Sequence, residues 1–253
     1  IEWSTIFFLL SGLMGIGVLT NLMVPEPEIE EPLPTNLKEA VVEPFVTFFN
    51  RRGATLILLF ILLYKLGDNM ASTMTIPYVV ALGFTKADYF VIVKGVGTFG
   101  LFGGVLVGGS IMIRLGIAKS LYLFGLLQAV STALFACLKM IDHTSMFWQD
   151  YSMTLLGSIV SFEFFATGLG QAAYASYMAL QTDKRFTATQ YALLTSLMGV
   201  PGVFAAAATG YMSKFLGWPL FYLVCSLVAV PGLLLLFKIA PWHADNQALE
   251  NRG

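Results

Sequence analysis

Charge is what this sequence has least of. Lys, Arg, Asp and Glu make up 11% of its 253 residues, against about 25% in ordinary soluble domains. With a net charge of −1 and no basic stripe to neutralise phosphates, nucleic acid is excluded as a partner. Histidine is almost absent. His143 and His243 fall in a loop and in the tail, which leaves no H-E-x-x-H pair and no His-rich metal site. Cys137 and Cys225 sit in separate apolar runs without C-x-x-C spacing, and they read as small hydrophobic residues. No metal and no cofactor are expected. The bulk of the chain is apolar, with 57% hydrophobic residues and a mean hydropathy of +0.77. The fold class that follows is an all-α polytopic membrane protein.

The apolar runs come in a definite order. Trp3 to Val24 is a first span, uncharged and carrying Gly12, Gly15 and Gly17. Pro25 to Pro34 then sets four prolines among four acids, a composition that is solvated and extended. Thr35 or Asn36 is placed to cap a following helix in which Leu37, Ala40, Val41, Phe45, Phe48 and Phe49 recur at helical spacing. That amphipathic piece ends at Arg51-Arg52 and suits the membrane interface, with Pro44 as a point of bending. Six spans follow, at about 54–82, 88–113, 119–138, 149–181, 187–213 and 219–239. If the loop before residue 54 is cytoplasmic, that side carries nine Lys or Arg residues, among them Arg51, Arg114, Lys119, Lys184 and Arg185, against Lys86, Lys139 and Lys214 opposite. This positive-inside bias puts the C-terminus in the cytoplasm.

One span, a long loop and six spans match the sixth helix and second half of a twelve-span major-facilitator transporter, two six-helix halves with the substrate site between them. The expected division is 1–24 as the last helix of the first half and 25–53 as the inter-half loop with its amphipathic helix. Residues 54–240 form the six-helix bundle and 241–253 the cytoplasmic tail. The chain opens at Ile1 inside a hydrophobic segment, without the charged n-region and small-residue cleavage site of a signal peptide. A piece of a longer protein is therefore expected, inactive by itself because a half-carrier leaves its cavity side uncovered.

Specific words also carry a resemblance. Ala40-Val41-Val42-Glu43-Pro44, Phe48-Phe49-Asn50-Arg51, Leu63-Tyr64-Lys65-Leu66-Gly67-Asp68 and Phe124-Gly125-Leu126-Leu127-Gln128 resemble successive segments of the AmpG family of muropeptide permeases. So do Phe186-Thr187-Ala188-Thr189-Gln190-Tyr191-Ala192-Leu193-Leu194 and Val230-Pro231-Gly232-Leu233. The resemblance implies a major-facilitator fold in the bacterial inner membrane and proton-driven import of anhydromuropeptides from periplasm to cytoplasm during peptidoglycan recycling. In such bacteria the imported compounds also feed β-lactamase induction. The implied partners are a muropeptide, protons, the lipid bilayer and a first half of the carrier. One departure concerns the general facilitator loop motif, represented here only by Gly108-Gly109, Arg114-Leu115-Gly116 and Lys119, without its acidic member.

The residues themselves point to a site inside the membrane. Lys65 and Asp68 interrupt an apolar run, three apart and so on one helix face. Each would cost roughly 2.5–3.5 kcal/mol if it faced lipid, so that face looks into a protein-lined or watery interior. Asp68 and Glu163 both lie ~21 Å along their helices, near mid-depth, and Lys94 comes to a similar depth on the neighbouring helix. Burial disfavours an ionised carboxylate and an adjacent ammonium favours it. Competition between the two lets such an acid bind and release a proton. Asp68 or Glu163 is the candidate proton-coupling acid, with Lys65 and Lys94 as counter-charges or contacts to substrate carboxylates. The alternative reading is a structural ion pair and a snorkelling lysine.

Tyr64, Asn69, Gln171, Tyr174, Tyr177 and Gln190 add groups suited to sugar and peptide hydrogen bonding, or to gluing helices together. Glycines 95, 97, 100, 103, 104, 108 and 109 crowd one helix; inside a span they read as close packing rather than a phosphate loop. Pro201-Gly202 and Pro231-Gly232 mark expected kinks. A carrier rather than an enzyme is expected, since no hydrolase constellation lies at mid-depth. Two alternatives stay open: a related permease with another cargo, such as an acyl-coenzyme A, and a non-transporting scaffold or receptor.

Overall fold

The computed structural model describes residues 2–24, 36–51, 53–141 and 143–239. The Pro/Glu segment, Arg52 and the tail from residue 240 lie outside them, so the extended loop and the cytoplasmic tail are not addressed by it. Among the described residues every regular element is helical. They fall into two units, Ile1–Thr35 and Asn36–Gly253. The first is a single helix, α1 (Trp3–Met23), with no charged residue over its length.

The second unit begins with α2 (Leu37–Asn50). Of the two expected caps it is Asn36 that acts, its side chain accepting from Glu39 N at 2.8 Å. Pro44 lies inside the helix without ending it. Pro44 and Phe48 are buried, while Val41, Val42, Phe45, Val46 and Phe49 are exposed, an apolar surface suited to the lipid interface. The dock is polar. Gln190, 1% exposed, donates to the Pro44 carbonyl at 3.0 Å and accepts from Asp183 N at 2.6 Å. Arg51 donates to the Gln181 carbonyl at 3.0 Å. Gln190 is thus a tie between α2 and the turn at 181–186. Gln190→Ala is expected to cost about 1 kcal/mol, because the partly buried Asp183 N–H loses its partner. Hydrogen exchange read by mass spectrometry should show faster exchange along α2 with the other helices unchanged.

Five long elements follow: α3 (Ala54–Ala81), α4 (Lys86–Leu115), α5 (Ile117–Met140), α6 (Met146–Leu180) and α7 (Thr187–Ile239). With α1 they are six helices long and apolar enough to cross a bilayer. At 53 residues, α7 is ~80 Å long, more than twice a ~30 Å hydrocarbon core. It breaks at Gly217, whose φ of 72° and ψ of 164° leave the helical region. Only glycine adopts that φ without strain. The two arms, 187–216 and 218–239, correspond to the last two spans read from the sequence. The backbone stays helical at Pro201 and Pro231, and the departure from helical φ/ψ inside α7 is at Gly217, in the gap read between the last two spans. At Gly232 the reason for glycine is packing, since an added Cβ would lie 2.9 Å from Tyr64 N and Cα.

Two apolar clusters fill the bundle. One gathers Phe48, Phe60, Tyr64, Phe124, Tyr174 and Tyr177. The other gathers Tyr78, Phe135, Trp148, Leu156, Phe221 and Tyr222. Each of α3, α5 and α6 contributes to both and carries polar residues in between. On α3 these are Lys65, Asp68 and Asn69. On α5 they are Gln128, Ser131 and Thr132, and on α6 Glu163 and Thr167. The bundle therefore has a polar waist between two dry cores. Its most intimate helix pair is α4 with α6, where Gly100, Gly104 and Gly108 face Ser161, Phe165 and Leu169. This is the small-residue packing expected of the glycine run.

Candidate functional site

The waist is organised by a break in α3. Helix Ala54–Tyr64 stops, Lys65 takes φ −99° and ψ −2°, and helix Leu66–Thr73 resumes. Ile61 O, the carbonyl one turn before the break, accepts instead from the Tyr174 hydroxyl at 2.6 Å. Buried in protein, an interrupted helix is tolerated at membrane depth when another group takes up its freed carbonyl. Tyr174 is itself held by stacking on Tyr64, with centroids 5.3 Å apart and planes at 16°. The Tyr64 hydroxyl donates to the Leu121 carbonyl at 3.0 Å. Both tyrosines were candidate substrate contacts; the structure places both hydroxyls on backbone carbonyls. A second interruption, at Met74, precedes Pro77, which cannot donate back into the helix.

Lys65 and Asp68 meet as their spacing requires, Nζ to Oδ2 at 3.0 Å, with Lys65 4% and Asp68 17% exposed. The other Asp68 oxygen accepts from Thr167 at 3.4 Å, and Thr167 accepts from Gln128 Nε2 at 3.1 Å. Glu163, 8% exposed, is held differently. Its oxygens meet two hydroxyls of α5: Thr132 donates to Oε1 at 3.0 Å and Ser131 bonds Oε2. So one acid is neutralised by a buried ammonium, and the other is held by uncharged groups. Breaking a buried pair by removing one partner typically costs about 3–5 kcal/mol, which ties Asp68 to its charge.

Both acids open onto one cavity of about 220 Å³, also lined by Ser72, Thr75, Lys94 and Tyr222. Lys94 rises into it from Phe90–Val96, a π-helical stretch of α4, a distortion frequent at functional sites. Lys94 makes no ion pair with Asp68 or Glu163 among the described residues, so the direct reach expected of it is not realised. A second space of about 10 Å³, enough for about one water, is lined by Tyr64, Asp68, Gln128, Thr132 and Ser226. Asp68 borders both. Asn69 turns its amide to the Gly202 face of α7, where an added Cβ would lie 3.8 Å away. Gln171 is half-buried on α6 and lines neither space. Tyr177 is buried with its hydroxyl unpartnered among the described residues.

Five waist residues are not among the candidates read from the sequence: Thr167, Gln128, Ser131, Thr132 and Tyr222. The first four carry a signal. Gln128, Ser131 and Thr132 stand at i, i+3 and i+4 on one face of α5, and Thr167 one turn after Glu163. Tyr222 lies in an apolar run and gave none.

A bundle of apolar helices around a mid-depth waist, with an interrupted helix at its centre, is the anatomy of secondary carriers. The family description Major Facilitator Superfamily matches residues 1–202. The chain belongs to this superfamily. Within it, the chain is 37% identical over 235 residues to the anhydromuropeptide permease of Escherichia coli (strain K12), covering 92% of this chain and 46% of that protein. It is 33% identical over 249 residues to an uncharacterized protein of Haemophilus influenzae, covering 96% of this chain and 58% of that protein. A putative transporter, AmpG 4, of Rickettsia conorii is 28% identical over 246 residues, 94% of this chain and 57% of that one. The chain spans about half the length of the curated relatives it matches. Its apolar helices and these relatives make it a multi-pass membrane protein.

Proposed function

We propose that this chain is the second half, with the preceding helix, of a proton-coupled carrier that imports anhydromuropeptides from periplasm to cytoplasm. Transport proceeds by alternating access, the two halves rocking about a site at mid-depth. The carrier sits in the bacterial inner membrane with the C-terminus cytoplasmic, as the positive-inside bias favours. The observation that carries the reading is the waist, where Asp68 of a buried ion pair on α3, Glu163 on α6 and Lys94 on α4 line one cavity from three different helices. A scaffold has no need of ionisable groups placed there, and each is expensive in a membrane. The cargo rests on the likeness to a permease of that name. In this scheme Lys94 meets an anionic group of the cargo and one of the two acids carries the proton.

The test is uptake of labelled anhydromuropeptide by permease-null cells producing the full-length carrier, across a series of external pH values. Uptake should rise as the medium is acidified and should collapse when a protonophore is added. Uptake indifferent to the protonophore sinks proton coupling. No uptake at any pH, with the protein present in the membrane, sinks the cargo.

A further inference from the structure

The two acids of the waist divide the work, and the hydrogen bonds say how. Ser131 Oγ lies 2.9 Å from the Gln128 carbonyl one turn back, and it is also in bonding contact with Glu163 Oε2. A serine hydroxyl owns one proton and an ionised carboxylate owns none. With Glu163 ionised, one of the two contacts is a bond and the other sets lone pair against lone pair. With a proton on Oε2 both are bonds: Glu163 donates to Ser131, and Ser131 donates to the Gln128 carbonyl. Thr132 donates to Oε1 in either state. The arrangement is complete only when Glu163 carries the proton.

Resting on the carrier reading above, we propose that Glu163 is the acid that takes up and releases the coupled proton, and that Ser131 is its positioning residue. The proton reaches Oε2 from water in the 220 Å³ cavity that Glu163 lines and returns to it. When it leaves, the Ser131 O–H swings from the Gln128 carbonyl to the carboxylate; no other bond is made or broken. The groups facing Glu163 leave this role to it. From α3 come Lys65 and Asp68, already spent on each other at 3.0 Å. From α4 come Tyr89 and Lys94, from α5 only hydroxyls and an amide, and from α7 Tyr222 and Cys225. Asp68 cannot take the proton without leaving the buried Lys65 ammonium unmatched. Glu163 has no such tie.

The proposal is read without any cargo, by infrared difference spectroscopy of the full-length carrier in lipid nanodiscs, titrated from about pH 5 to about pH 9. The stretch of a protonated carboxyl group should appear and disappear over that range. It should be missing in Glu163→Gln and present in Asp68→Asn. Ser131→Ala should displace both its frequency and its pH midpoint, and Ser131→Thr should restore them. A band that survives Glu163→Gln, or no band at any pH, overturns the assignment. In the full-length carrier, Glu163→Gln should abolish proton-driven accumulation and keep cargo-for-cargo exchange. Accumulation at the native level in that variant overturns the proposal, whereas failure of the unaltered carrier to move the cargo overturns the carrier reading and leaves the spectroscopic result to stand alone.

Discussion

Asp68→Asn is expected to abolish uptake by the full-length carrier and to lower the stability of the bundle by about 3–5 kcal/mol, because it strands a buried ammonium. Lys65 is 4% exposed and its ammonium sits 3.0 Å from the Asp68 carboxylate. The α3 backbone breaks at Lys65 itself. A second variant separates stability from function. Replacing both charges by apolar groups of similar size, Lys65→Met with Asp68→Leu, removes the stranded charge, and such exchanges are often neutral or stabilising. The double variant should regain native thermal stability and membrane level while uptake stays absent. Recovery of uptake along with stability shows the pair to be a clamp and nothing more. Native stability in Asp68→Asn shows that water reaches Lys65 and that the waist is wetter than its burial implies.

Why this pair was legible from sequence, and its surroundings less so, is a matter of which forces are local. Two charges three residues apart in an apolar run have only one tolerable direction to point, so the waist and its main ion pair follow from spacing and the cost of burying charge. The Asn36 cap and the glycine packing of α4 are local in the same way. The break at Lys65 is not. Neither Lys65 nor its neighbours in sequence force it; the Ile61 carbonyl is taken up by Tyr174, 113 residues away. The same kind of long-range bond decides what Tyr64, Tyr174 and Gln190 hold in this structure: each side chain bonds a backbone carbonyl of another helix, as interhelical glue does. The face that Ser131 and Thr132 share with Gln128 is legible by spacing, but their partner is not. Hydroxyls are common in these helices and usually bond their own backbone one turn back, as Ser110, Ser158 and Ser176 do here. Their second use shows only when α6 brings Glu163 against them. The break in α7 is legible as the gap between two apolar runs, whereas the left-handed φ of Gly217 that makes it is invisible without coordinates.

The packing of α4 on α6 carries the second large effect, Gly104→Leu. A Cβ on Gly104 would overlap the Phe165 carbonyl and lie 3.0 Å from Leu169 N. From the other side, a Cβ on Gly168 would overlap the Leu101 carbonyl and lie 3.0 Å from Gly104 Cα. These are backbone atoms, which cannot swing aside as a side chain does, so the helices themselves must part. Adding methylenes to a filled interior typically costs about 1–3 kcal/mol, and Gly104→Ala should fall in that range. Gly104→Leu should exceed it, giving a carrier that fails to accumulate in the membrane or a Tm lowered beyond that of the alanine variant. Gly109, five residues on, has nothing within 4 Å of the place a Cβ would take, and Gly109→Leu should leave both level and Tm unchanged. The contrast also reports on the site. Glu163 rides on α6 two residues before Phe165, and Lys94 rides on α4, so parting the helices widens the cavity they share. Gly104→Ala should therefore weaken uptake more than its loss of protein level accounts for. Equal stability of Gly104→Leu and Gly109→Leu would show that α4 and α6 do not pack at this contact, and the cavity geometry that depends on it would fall with it.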